Sequence, residues 1–110
     1  MTVAELSQSI QVFRRETVTN EYGETETVET LRFETYAKVV QMSEREQFQQ
    51  GINTSTVVYK IVYRYLAERA IKKDDLIKWD NQTFTARGNS YPVMIKTKRW
   101  FKTTMALQGA

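Results

Sequence analysis

Between Val57 and Tyr65 the chain alternates with period two. Val57, Tyr59, Ile61, Tyr63 and Tyr65 face one way, and Val58, Lys60, Val62 and Arg64 the other. Aromatic and β-branched residues in that rhythm predict a half-buried strand with Ile61 and Tyr63 in the core. Earlier, Ile10, Val12 and Arg14 share a face against Gln11 and Phe13, which predicts a first strand. Asn20-Glu21-Tyr22-Gly23 is a turn signal, with the glycine supplying a positive φ. The segment from Thr25 to Phe33 is rich in Thr, Val and Glu and reads as an exposed strand returning from that turn. Its glutamates Glu24, Glu26 and Glu29 suit a sheet edge, where charge discourages wrong pairing.

Tyr36 to Gln41 reads as a third strand. Ser43 is placed to cap a short helix through Phe48, with Glu46 three residues on completing a capping box. Gly51-Ile52-Asn53 ends that helix. The polar stretch from Glu44 to Ser55 lacks a strand period and is long for a simple connection, which points to a functional loop. Leu66 to Lys73 reads as a loop or one helical turn. Leu76 to Trp79 and Thr83 to Arg87 read as strands about an Asp80-Asn81 turn, with Trp79 opposite Phe84 in the core. Gly88-Asn89-Ser90 is loop. Val93 to Lys98 and Phe101 to Leu107 read as a closing hairpin across Arg99-Trp100. The expected architecture is all-β: one domain over residues 1–110, a small barrel or sandwich of about seven strands. It carries one short helix and a long loop (44–55) after the third strand. Residues 1–8 are expected as a leader with one helical turn around Val3–Ser7, and 108–110 as a loose tail.

Composition narrows the function. At 41% hydrophobic and 26% charged, the chain is globular and not disordered. It has no cysteine, which excludes disulfides and thiolate metal sites, and no histidine, which removes the commonest general base and metal ligand. Serines abound, but without histidine no classical triad forms. The glycines are isolated, so no phosphate loop exists. Asp74-Asp75 is the one tight acidic pair in the basic half; adjacent residues on a strand point apart, so it reads as a solvated turn. No enzyme, metal or cofactor is expected. No apolar run approaches the roughly 18 residues of a membrane span.

The net charge of +3 is split: residues 1–55 carry −4 and residues 56–110 carry +7. Such a chain can show two electrostatic faces to two partners. Lys96 and Lys98 are expected on one strand face, with Lys102 on the paired strand, Arg99 at the turn and Trp100 beside it. That set would suit phosphates and a stacked base, or simply form a solvated hairpin.

The ordered motifs resemble the head-tail joining proteins of tailed bacteriophages, also called head-closure or stopper proteins. Ser9-Ile10-Gln11-Val12 is similar to the family's Arg-Ile-Thr-Ile strand without its Arg. Tyr36-Ala37-Lys38-Val39 followed by Met42-Ser43-Glu44-Arg45-Glu46 resembles its aromatic-Ala-x-Val strand and Leu-Ser-Gly-Arg-Glu segment, with Glu44 in place of Gly. Tyr59-Lys60-Ile61-Val62-Tyr63-Arg64 resembles its Phe-Arg-Ile-Arg-Tyr-Arg strand. Leu76 to Ala86 is similar to its final Asp-Gly hairpin, with Asn81 for Gly. The likeness spans about residues 6–107.

The resemblance implies a structural protein of the virion neck, made in the host cytoplasm. It implies a β-barrel held by Tyr36, Ile61, Tyr63, Trp79 and Phe84, assembled as a homo-oligomeric ring, sixfold or twelvefold. Its partners would be the portal or adaptor protein, the tail terminator or tail tube, and packaged DNA in the channel, with no membrane. Arg45, Glu46, Phe48, Gln49 and Asn53 would contact a neighbouring subunit or line the channel, and Glu24, Glu26 and Glu29 would reach an adjacent ring. Lys96, Lys98, Arg99 and Lys102 would face DNA. Two other readings stand beside it: a tail terminator or adaptor, and a soluble barrel of the oligonucleotide-binding type that grips single strands through Lys96, Lys98, Trp100 and Lys102.

Overall fold

The computed structural model describes residues 6–52 and 56–107. These form β1 (Gln8–Thr19), β2 (Thr25–Gln41), α1 (Glu44–Gln49), β3 (Val58–Arg64), β4 (Leu76–Trp79), β5 (Gln82–Ala86), β6 (Tyr91–Ile95) and β7 (Lys98–Leu107). Ala67–Arg69 makes a single 3-10 turn between β3 and β4. All pairings are antiparallel, in the order β3-β2-β1-β4-β5-β7-β6. β3 also pairs with β7, from Val58↔Ala106 to Arg64↔Trp100, so the sheet closes on itself. One edge of β7 lies along β3; the other runs along β6 and then β5. Leu6 and Ser7 are not helical; the rest of the expected Val3–Ser7 turn, Asn53 and the tail 108–110 lie outside the described residues.

The interior follows from strand alternation. Ile10 and Val12 of β1, Phe33 and Ala37 of β2, Ile61 and Tyr63 of β3, Ile77, Phe84, Ala86, Phe101 and Met105 pack as one buried cluster. Tyr59 meets Trp79 and Phe84 edge-on, with ring centroids 5.0 Å (Tyr59–Trp79) and 5.4 Å (Tyr59–Phe84) apart; Phe84 lies opposite Ile77 and not Trp79, which pairs with Gln82, although the Trp79 and Phe84 rings still touch at 5.8 Å. Each fully buried apolar side chain contributes about 1.5–3 kcal/mol relative to exposure. The Tyr63 hydroxyl donates to the Arg69 carbonyl at 2.7 Å, shares a 2.8 Å bond with Ser90 Oγ, and accepts the Ile71 N–H at 3.1 Å. It therefore ties the β3–β4 connection to the β5–β6 loop. Burial pushes this phenol up to about 12.

Four further expectations are corrected. The second and third expected strands are one strand, β2, because Phe33 to Ala37 stays paired with β1 throughout; the helix and long loop thus follow the second strand. Tyr36 is not core: it is 63% exposed, since Phe33, Ala37 and Val39 take the inward positions and turn Tyr36 outward. The last hairpin turns at Lys96-Thr97 and not at Arg99-Trp100, with Ile95 opposite Lys98. Lys96 adopts a positive φ of 59° there, a turn that no Gly or Asn announces. Finally, Asp75 is not solvated but 3% exposed. Arg14 Nε donates to its Oδ1 at 3.0 Å and Arg14 Nη2 to its Oδ2 at 2.9 Å, while the Lys72 N–H donates to Oδ2 at 2.9 Å. The Asp75 hydrogen bonds raise Arg14 above the ordinary guanidinium value.

Arg14 marks the root of a projecting arm. β4 pairs with β1 only at Gln11 to Phe13, and β3 with β2 only at Ala37 to Gln41. Beyond these, Arg14 to Thr19 and Thr25 to Thr30 pair only with each other. Six paired residues make a ribbon about 20 Å long. It closes through Asn20, whose Oδ1 accepts the N–H groups of Tyr22 and Glu24, with Gly23 at φ 78°. At the root, Val12 pairs with Phe33 and Phe13 with Leu31, leaving Arg32 as a bulge. One extra residue inverts the strand's facing. Odd-numbered residues of β2 point inward above the bulge; below it, even-numbered Glu26, Val28 and Thr30 continue that face.

Candidate assembly interface

α1 stands at the far end of β2 from the arm. Ser43 caps it: its Oγ accepts the Glu46 N–H at 3.2 Å and donates to Glu46 Oε1 at 3.3 Å. Two ties hold the helix to the closed sheet. Lys60 Nζ donates to Glu46 Oε2 at 2.8 Å, a bond that holds the Glu46 carboxyl below its ordinary value. Gln47, buried, donates from Nε2 to the Thr56 carbonyl at 2.8 Å. Gly51, at φ 72°, turns the chain away. A helix fixed on this side holds its other side in water: Arg45 and Gln49 are exposed and Phe48 is 80% exposed. Of the loop residues singled out from sequence, Arg45, Phe48 and Gln49 thus share an outward position. Glu46 is committed to Lys60, and Asn53 lies outside the described residues.

The arm carries Glu24, Glu26 and Glu29, all exposed, but they do not act on one face. Glu26 pairs with Val18, and Glu29 with Arg15 one pleat away on the opposite side. The face of Glu26 also carries Glu16 and Val28, which pair with each other. From residue 16 to residue 29 the arm has five glutamates and no basic residue.

The four basic residues expected together are divided. Lys96 sits in the turn. Lys98 and Lys102 point outward from β7. Arg99 takes the other face, its guanidinium 5.6 Å from the centre of the Tyr65 ring. Trp100 is 2% exposed, and its Nε1 is buried with no hydrogen-bond partner. Register assembles a different basic surface. Lys38 lies opposite Val62, Val62 opposite Lys102, and Lys102 opposite Tyr91, one row across four strands. Arg64 and Lys60 share its outward face by alternation. The sequence pattern had placed Lys60 and Arg64 outward, but which strands neighbour one another is non-local information. Among the described residues, no group of three or more His, Asp or Glu is placed to hold a metal ion, and no helix is long and apolar enough to cross a membrane.

This architecture defines a class: a small all-β protein whose exposed features are an arm, a helix knob and a basic strand face. The profile of the phage head completion protein family matches residues 1–105, and the chain belongs to that family. A comparison with curated protein sequences finds no match. The fold is similar to the solution structure of protein SF1141 from Shigella flexneri 2a, at 16% identity and a TM-score of 0.78, covering 99% of this chain and 98% of that one. Membership gives a structural role at the phage head and neck, in contact with head and tail components of the virion.

Proposed function

We propose that copies of this chain form a ring in the phage neck, joining the portal or its adaptor to the tail and helping to close the DNA channel. The ring, sixfold or twelvefold, acts by binding and assembly, without turnover. α1 and the loop after it make the contact with the neighbouring subunit or the channel, through Arg45, Phe48, Gln49 and Asn53, with Glu46 fixing the helix. The acidic arm reaches a component outside its own subunit. Lys98 and Lys102 face the packaged DNA or a neighbour, and the tail terminator or tail tube docks below.

The observation that carries this reading is Phe48. A large apolar side chain held in water by a capped, pinned helix has no use within its own subunit and suits a packed interface. A ring contact is heterologous, so unlike patches meet, which suits a chain with a knob at one end and charge divided between its halves. The single-strand-binding alternative loses its aromatic: Trp100 is buried and cannot stack a base where it lies.

The test is Arg45→Glu, assayed for occupancy on isolated portal-bearing heads and for solution mass at several concentrations. The expected result is a folded chain with an unchanged circular dichroism spectrum that no longer fills the ring. Normal occupancy by the variant removes this loop from the interface. A wild-type chain that ignores heads and binds single-stranded DNA overturns the neck reading.

A further inference from the structure

We propose that Phe48 of one copy seats in a cleft on the next copy, lined by Leu6, Thr35, Tyr36, Arg64, Leu66 and Arg69. The inference rests on the ring reading and names the surface that the α1 knob meets.

The cleft lies at the other end of the β2–β3 ladder from the knob. β2 leaves the ladder toward α1 at Gln41, opposite Tyr59, whereas Tyr36 and Arg64 sit just past its Ala37–Tyr63 end. Lys60, which pins the helix, and Arg64, which lines the cleft, are four residues apart on one strand, about 13 Å. Phe48 is 80% exposed, so it does not fill the cleft of its own subunit. Knob and cleft are therefore unlike patches at separate places on one chain, as a head-to-tail contact that closes into a ring requires.

The cleft is open and of the right chemistry. Tyr36 is 63% exposed and Leu66 37%, two large apolar side chains left in water, with half-buried Leu6 beside them. Its volume of about 270 Å³ falls below the roughly 300–1,000 Å³ of small-molecule sites and suits a single inserted side chain. Aromatic, aliphatic and guanidinium groups all pack against a phenyl ring. Arg69 already does so within the subunit, 5.9 Å from the centre of the Phe33 ring. Arg64 is exposed and, among the described residues, has no ion pair.

The helix brings the complementary charge. Glu44 lies one turn before Phe48, so the two share a side of α1. It too is exposed and without an ion pair among the described residues. Seating the ring sets Glu44 against Arg64. Arg45, next to it, has an opposite charge in Glu68, exposed on the 3-10 turn between Leu66 and Arg69. Such pairs add little affinity at an exposed rim, but like charges placed opposite one another there are strongly unfavourable.

The experiment exploits a chain that has no cysteine of its own. Glu44→Cys and Arg64→Cys chains are mixed in equal amounts, in solution and on portal-bearing heads, and treated with a short bismaleimide. A linked dimer can then form only between copies. The mixture should give that dimer, and either variant alone should not. In parallel, solution mass against concentration and head occupancy are measured for three further chains, with circular dichroism to verify folding. Phe48→Ala should weaken assembly roughly thirtyfold. Arg64→Glu should weaken it about tenfold, and Glu44→Arg/Arg64→Glu should recover to near wild type. A mixture that fills heads without linking overturns the proposal, as does a double charge variant no better than Arg64→Glu; the ring reading survives both. Phe48→Ala chains that fill the ring normally but fail to attach tails also overturn it, since the knob's target is then an adjacent component. Linked dimers in solution from chains that do not occupy heads support the contact and remove the neck ring instead. A wild type that is monomeric in solution and absent from heads overturns both.

Discussion

The two halves of β2 share one backbone conformation and have opposite relations to water. From Phe33 to Ala37 the strand has β1 on one side, and from Ala37 to Gln41 it has β3 on the other, with Phe33 and Ala37 buried. From Thr25 to Arg32 it has β1 alone, and every residue is exposed. The chain spends Val and Thr on both halves. What separates them is the presence of the closed sheet to pack against: Phe33 and Ala37 join its buried cluster, and nothing on the arm does. Burial in the closed half is a property of the ring of strands, and no such ring surrounds the arm. The difference teaches that strand formation and contribution to stability are separable: one half holds the fold, and the other holds a surface.

Substitutions at three positions test that separation. Phe33→Ala, in the closed half, should cost about 3 kcal/mol, at the low end for a core aromatic because Phe33 is 9% exposed and lies at the rim. Urea unfolding would show a lowered midpoint. At the junction, Arg14→Ala leaves the Asp75 carboxylate buried with the Lys72 N–H as its remaining partner, and should cost about 2–3 kcal/mol. Arg14→Lys should not restore it, because an ammonium cannot reproduce the two-pronged contact. In the arm, Val28→Ser should change stability by no more than about 0.5 kcal/mol while lowering occupancy on portal-bearing heads. If Val28→Ser lowers the unfolding midpoint as far as Phe33→Ala, the arm belongs to the cooperative fold and the comparison fails.

Much of the closed sheet was legible in the chain because its signals are local. The alternation around Ile61 and Tyr63, the Asp80-Asn81 turn (φ 53° and 60°), and the Ser43–Glu46 cap all reappear in place. Tyr36 was misassigned because an aromatic next to alanine looks like core, whereas the small Ala37 is the residue that fits inside beside Tyr63, the residue it pairs with on β3. The Lys96-Thr97 turn has no glycine or asparagine to mark it, so its position slipped toward Arg99-Trp100. The Arg14–Asp75 pair joins residues 61 apart in sequence, and no periodicity reports such a pairing. The same limit applied to the candidate surfaces. Phe48 could be singled out from its loop, but the basic row from Lys38 to Tyr91 exists only once β2, β3, β7 and β6 are laid side by side.

The pairing of β3 with β7 also has a consequence for how the chain acquires its structure. β1 and β2 meet across a five-residue turn, so their ladder can zip from a local nucleus. β3 and β7 meet across most of the C-terminal half, with Arg64↔Trp100 the nearest pair in sequence. Contacts so distant along the chain come late and slowly. Until they form, both partners present open edges on which another nascent chain could pair. Lys60 and Lys102 sit on those two strands and place charge on them during that interval, a protection against misassembly that precedes any role in the finished particle.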